Sequence, residues 1–211
     1  MKKIMFNDKY LLTQAVLRGE KTQTRRKFTL TLDKEVDDKL IRIYPSKVFF
    51  DNGKWLFDYE GRIYNLPKEN YPRYKIGEVV AIAQSYNDIG KPQFDKFGKD
   101  VAGNNNKLFV KADLLPHHIR ITDVKVERLQ DISDNDCMSE GLKFRYKNMN
   151  FGNMLTREDY YYDYLDRYGE ISCYGTESPK KTFSVFIDKI CGYDTWEDNP
   201  WVVAYSFELV D

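Results

Sequence analysis

The segment His117-His118-Ile119-Arg120-Ile121-Thr122-Asp123-Val124-Lys125-Val126-Glu127-Arg128 limits the fold more than any other. Ile119 and Ile121 alternate with polar residues, which puts them on one face of a strand. Val124 and Val126 also alternate, but in the opposite phase. A period-two pattern that slips by one residue needs a β-bulge or bend, here near Thr122-Asp123. Strands that bend in this way suit a small barrel. The closing run WVVAYSFELV keeps the same period, with Trp201, Val203, Tyr205, Phe207 and Leu209 on one face, and the Asn199-Pro200 turn introduces it. Val79 to Ala83 is a continuous apolar run, as expected of a strand buried on both faces.

Turn signals divide the rest of the chain. KVFFDNGKWLFDYEGRIYNL reads as aromatic strands joined at Asn52-Gly53 and again at Glu60-Gly61. Ile4 to Phe6 reads as a short strand, followed by an Asn7 or Asp8 cap and a helix with the stripe Leu11, Leu12, Ala15 and Val16. Gly19 stands where that helix wants a left-handed terminator. Ser133 caps a second helix, with Asp136 as its capping-box acid and Gly141 as its end. Ser178-Pro179 opens a third helix, whose buried stripe is Phe183, Phe186, Ile187 and Ile190. Residues 87–106, rich in Gly, Asn, Asp and Lys, read as a long mobile loop. The Tyr-rich segment near 155–168 reads as a helix inside an insertion. Strands outnumber helices, so the expected class is α+β: a small mixed β-barrel flanked by short helices, with β-hairpin and helical insertions.

Composition narrows the function. Thirty-three basic residues balance 33 acidic ones, so overall charge gives no support to strong non-specific nucleic-acid binding. The 16 tyrosines fill a β-rich core or stack on bases. Three cysteines without a CxxC pair fit a reducing cytoplasm rather than a disulfide framework or zinc ribbon. No apolar run is long enough for a membrane span, and the first residues lack a signal-peptide core. His117 and His118 are adjacent and point to opposite faces of a strand, so neither a metal site nor a cofactor is expected. Trp196 and Trp201 flank a turn and read as packing at a barrel end.

The chemistry concentrates in Gly19-Glu20-Lys21-Thr22-Gln23-Thr24-Arg25-Arg26. A lysine amine becomes a base when burial lowers its pKa, and a threonine hydroxyl needs such a base to act as a nucleophile. Lys21 and Thr24 are the candidate pair. In an ideal strand they lie on opposite faces, so the pair requires a turn within KTQT. Arg25 and Arg26 have the planar fork that holds phosphate or carboxylate. Glu140 sits at the C-terminal end of a short helix, where a carboxylate is electrostatically disfavoured, which points to a partner such as Lys21. A solvated basic loop and a surface glutamate are the plain alternatives.

The order of these motifs resembles the ASCH domain family. The resemblance rests on the helix before GEKTQTRR, the strand after KIGEVVAI, ITDVKVERLQDIS, the DNDCMSEGL helix and the closing NPWVVAYSFEL, and it is closest to the longer phage- or prophage-associated members. It implies a single PUA-like barrel over residues 1–211, with insertions at 34–70, 87–110 and 143–178. It also implies binding of RNA or a modified nucleoside or nucleotide, with Thr22, Arg25, Arg26, Gln84 and Tyr86 as ligand contacts and Tyr86 stacking on a base. One branch of the family removes acyl groups from N4-acylated cytidine. That parallel implies catalytic roles for Lys21, Thr24 and Glu140, with either Thr24 or water as the nucleophile. Two departures stand out: Arg25 replaces an apolar residue of the deacylase branch, and Gln84 replaces a carboxylate of the longer relatives. A third reading is a non-catalytic prophage accessory protein whose insertions contact other proteins.

Overall fold

The computed structural model describes residues 1–36, 39–151 and 153–210. Positions 37, 38 and 152, within two of the expected insertions, lie outside the described residues. In chain order the elements begin with β1 (Lys3–Ile4), α1 (Leu12–Leu17) and β2 (Gln23–Lys27). Two hairpin units follow: β3 (Leu32–Val36) with β4 (Lys39–Ile43), then β5 (Lys47–Asp51), β6 (Lys54–Tyr59) and β7 (Arg62–Asn65). Next come β8 (Val79–Ile82), β9 (His118–Arg128) and α2 (Asp134–Ser139). The chain closes with β10 (Lys143–Phe151), β11 (Asn153–Leu165), β12 (Ile171–Thr176), α3 (Pro179–Cys191) and β13 (Trp201–Leu209). Strands dominate and short helices interrupt them, as expected for an α+β chain.

The central sheet has the order β1-β8-β9-β13-β2. β1 runs parallel to β8, and the remaining ladders are antiparallel. Ser206 faces Asp123 while Phe207 faces Ile121, so Thr122 is left over. This is the bulge that the phase slip in β9 requires, and it lets Ile121 and Val124 both enter the core. Val202 to Tyr205 are all buried, so β13 is covered on both faces, more fully than its alternation indicates.

The sheet does not close into the barrel expected from the sequence. β1 and β2 are its edges, and no ladder joins them among the described residues. The cause is local. β1 has two residues, after which the Asn7 side chain accepts from Lys9 N–H and Leu11 takes a left-handed φ of 54°, turning the chain into α1. One side chain crosses the open seam: Arg26 Nη2 donates to the carbonyl of Met5.

Turn chemistry fixes the hairpins. Asn52 and Gly53 have φ values of 45° and 80°, and Glu60 and Gly61 have 52° and 73°. Positive φ at both central residues is the type I′ geometry that matches strand twist. The helix expected near 155–168 is instead β11, paired with β10 on one side and β12 on the other. Tyrosine favours a pleated, half-buried surface. Here Tyr160 packs on Phe144, with ring centroids 5.1 Å apart, and Tyr162 is buried against Phe186 of α3 at 4.7 Å. A single hydrophobic cluster joins the central sheet, α3, Tyr162 and the Val48-Trp55-Phe57 face of β5 and β6. Trp196 and Trp201 pack on its margin, and the Arg128 guanidinium lies 4.5 Å from the Trp201 ring.

The irregular segment 87–106 is tied down at Asn104, which is buried. Its Nδ2 donates to Gln93 O and Asp100 Oδ1, and its Oδ1 accepts from Gln93 N–H. No helix among the described residues is long and apolar enough to cross a membrane.

Candidate functional site

GEKTQTRR leaves α1 through Gly19, at φ +71°, and the Glu20 and Lys21 amides both donate to Ala15 O. β2 begins only at Gln23, so Lys21 precedes the strand and escapes its alternation. Thr22 fastens the segment through its backbone: its N–H donates to Ser139 O at 2.9 Å, and its carbonyl accepts from Phe207 N–H at 2.8 Å. The Lys21 stem lies on Gly141, where an added Cβ would stand 3.5 Å from Lys21 Cβ. Gly141 itself has φ +101°, a conformation few side chains tolerate.

Lys21 is 1% exposed. Its Nζ donates to Glu140 Oε2 at 2.6 Å and to the Glu140 carbonyl at 2.7 Å. Burial lowers the Lys21 pKa, and Glu140 opposes that shift while Arg26 and Arg25 reinforce it. α2 delivers the carboxylate. Ser133 accepts from Asp136 N–H at 3.1 Å, a capping box fixes the helix start, and Glu140 is its C-terminal cap.

Arg25 organises the acids around this pair. Nε and Nη2 both donate to Glu127 Oε1, at 3.0 and 2.7 Å. Nη2 also reaches Asp136 Oδ2 at 3.2 Å, and Nη1 reaches Glu140 Oε1 at 3.1 Å and Gln23 Oε1 at 2.6 Å. A guanidinium has five N–H donors, and these contacts use them all. Lys125 caps the other Glu127 oxygen. Three cations thus face three carboxylates, and the cluster is close to neutral.

Arg26 is different. Burial lowers its pKa, and among the described residues its one hydrogen bond is to Met5 O. Among the described residues no carboxylate pairs with it. Of the two adjacent arginines, Arg26 is the one with donors left over for a ligand.

Lys21, Thr24, Arg25, Arg26 and Glu140 line one cavity of about 360 Å³, between the end of β1 and the edge of β2. Phe6, Leu12, Phe186 and Ile187 supply apolar wall. The Thr24 side chain is buried at this wall, and its hydroxyl bonds to neither Lys21 nor Glu140. The volume suits a small organic ligand with a few oriented polar groups.

The other candidate contacts lie elsewhere. Thr22 is exposed and acts through its backbone. Tyr86 packs against Gly103, where any Cβ would come within 2.6 Å of its ring, and joins a small cluster with Ala81, Val110 and Leu115. That ring anchors a loop and does not line the cavity. Gln84 is buried with its Oε1 unpartnered, directly after Ala83, whose N–H donates to Ile4 O. It flanks the Met5-Phe6 wall without lining the cavity.

Sequence reasoning missed Glu127 and took Asp136 for a capping acid alone. Glu127 alternates with the apolar residues of β9, so its pattern is that of a solvent-facing side chain. The buried Arg25 covering it is visible only in three dimensions. Among the described residues no group of three His, Cys, Asp or Glu side chains is arranged to hold a metal ion.

Comparison with family models, curated proteins and solved structures finds no match.

Proposed function

We propose that the chain is an ASCH-type, PUA-like domain that binds a nucleoside-like ligand in the cavity beside Lys21 and Glu140. One observation carries this reading: the Lys21–Glu140 pair, Thr24 and Arg26 line a single cavity of about 360 Å³. Its mostly apolar wall suits a flat ring system, and Arg26 offers donors to a ligand carbonyl or anion. The neutral overall charge and the full engagement of Arg25 favour a small ligand over a long RNA. Calorimetric titration with cytidine and N4-acetylcytidine tests the reading. Binding lost in Phe186→Trp, a bulkier wall residue, supports it, and no heat from either compound at millimolar concentration rejects it.

The lowered Lys21 pKa and the unbonded Thr24 hydroxyl favour a second reading, hydrolysis of an acylated nucleoside. In this reading Lys21 in its deprotonated form accepts a proton from Thr24 or from water as that oxygen attacks the amide carbonyl. The carbon–nitrogen bond then breaks, and the Lys21 ammonium returns the proton to the departing amine. With Thr24 as nucleophile, water releases the acyl group as a carboxylic acid in a second step. Glu140 holds the ammonium in place. Release of cytidine from N4-acetylcytidine by the wild type, abolished in Lys21→Met, is the expected outcome. Binding without turnover leaves the domain a receptor.

A further inference from the structure

A second cavity, of about 610 Å³, lies across Arg26 from the first and shares Met5, Arg26 and Lys27 with it. The two spaces occupy the same open seam between β1 and β2. Their walls differ in charge. The larger cavity is lined by the cations Lys3, Arg26, Lys27 and Arg73 against a single acid, Glu69.

Those cations are not equally available. Lys3 Nζ donates to the carbonyls of Lys107, Leu108 and Val110, so it contributes charge but no free donor. The Arg73 guanidinium stacks 5.5 Å from the Tyr74 ring and pairs with no carboxylate among the described residues. Among the described residues Lys27 Nζ has one hydrogen bond, a 3.5 Å contact to Cys191 O, and Arg26 has one, to Met5 O, with its guanidinium 5.7 Å from the Phe6 ring. Three cations with spare donors thus face one space. The cluster around Arg25 is the contrast, because there each cation meets a carboxylate.

We infer that the larger cavity is a phosphate site, so that the ligand class is a nucleotide: nucleoside beside Lys21, phosphate beside Arg26, Lys27 and Arg73. This rests on the nucleoside reading for its first half. The phosphate half stands on its own observation, the excess of spare cationic donors across the Arg26 partition. Guanidinium forks suit phosphate oxygens, and the half-open seam lets the charged group keep part of its hydration.

The test compares cytidine, cytidine 5′-monophosphate and inorganic phosphate on the intact chain. Calorimetry measures the first two and phosphorus NMR the third. Arg73 and Lys27 are exposed, so Arg73→Glu and Lys27→Glu should fold, with Lys96→Glu as a control remote from the seam. The monophosphate is expected to bind about tenfold or more tighter than cytidine, a gain of one charge-assisted contact. Arg73→Glu and Lys27→Glu should each remove most of that gain and weaken phosphate binding; Arg73→Glu, which lies outside the first cavity, should leave cytidine binding unchanged, and Lys96→Glu should alter none of the three affinities. Equal affinities for cytidine and its monophosphate overturn the phosphate site while the nucleoside reading stands. Phosphate binding that Arg73→Glu abolishes, with no cytidine binding at all, sustains the phosphate site and rejects the nucleoside reading. Phosphate and monophosphate binding insensitive to both charge reversals overturns the inference.

Discussion

Two sets of ion pairs in this molecule obey opposite economies. On the rim, Arg18 pairs with Glu20 at 2.7 Å and Arg157 with Glu177 at 2.8 Å, with every partner more than a third exposed. In the cleft, Lys21 pairs with Glu140 at 2.6 Å and Arg25 with Glu127 at 2.7 Å, with side chains 1% to 5% exposed. The distances are alike, but the surroundings are not. Water screens the rim pairs, and holding two long side chains in place costs entropy, so each contributes little. The cleft pairs have lost their hydration, and only mutual contact makes the buried charges tolerable. A buried network of this kind is weak evidence for stability and better evidence for a fixed arrangement of charges.

Breaking the contrast from the cleft side should have the largest effect. Glu140→Ala leaves Lys21 buried without its carboxylate and removes one Arg25 partner, so urea denaturation should show a loss of about 3–5 kcal/mol. Lys21→Met is milder, because Glu140 keeps Arg25, and a loss of roughly 1–2 kcal/mol is expected together with loss of any hydrolytic activity. A Lys21→Met protein that retains turnover would show that the amine is not the base.

Ionisation sharpens the same contrast through pH. Burial pushes the Cys137 thiol up to about 12 from an ordinary value of 9.0. The unfolded chain then ionises first, so the stability tied to this thiol is intact below pH 9 and lost as pH rises towards about 12. The slope is about 1.4 kcal/mol per pH unit, read as the difference between wild type and Cys137→Ala. Lys21 works in the reverse direction. Its folded pKa lies below 10.5, so the folded protein holds fewer protons than the unfolded one in that window, and its contribution rises with pH up to 10.5. A wild type minus Lys21→Met difference that falls over that range would contradict a desolvated amine. The smallest effect belongs to the rim: Arg18→Ala should cost about 0.5 kcal/mol or less, fading in high salt.

Local signals were the legible ones. Asn52-Gly53, Glu60-Gly61, Gly19, the Ser133–Asp136 box and the phase slip in β9 each act within a few residues, and each turns the chain as its chemistry dictates. The Lys21–Glu140 contact was also foreshadowed, because a carboxylate ending a helix needs a partner. What failed was non-local. The Tyr-rich run of β11 becomes a strand because β10 and β12 flank it, and no short window contains that pairing. Barrel closure depended on the length of β1, and the two residues it has do not reach β2. Tyr86 and Arg25 looked available for a ligand because their partners, Gly103 and Glu127, lie far away in sequence.

α2 spans only Asp134–Ser139, with a capping box at one end and Gly141 at the other. Neither end can slide without losing its stop. The helix therefore works as a spacer of fixed angle as well as fixed length. Each residue added to it would swing Glu140 by about 100° and advance it by about 1.5 Å. The acid would then point away from Lys21 even though every residue of the cleft were still present. In this chain a length polymorphism in six residues would erase what point substitutions elsewhere leave intact.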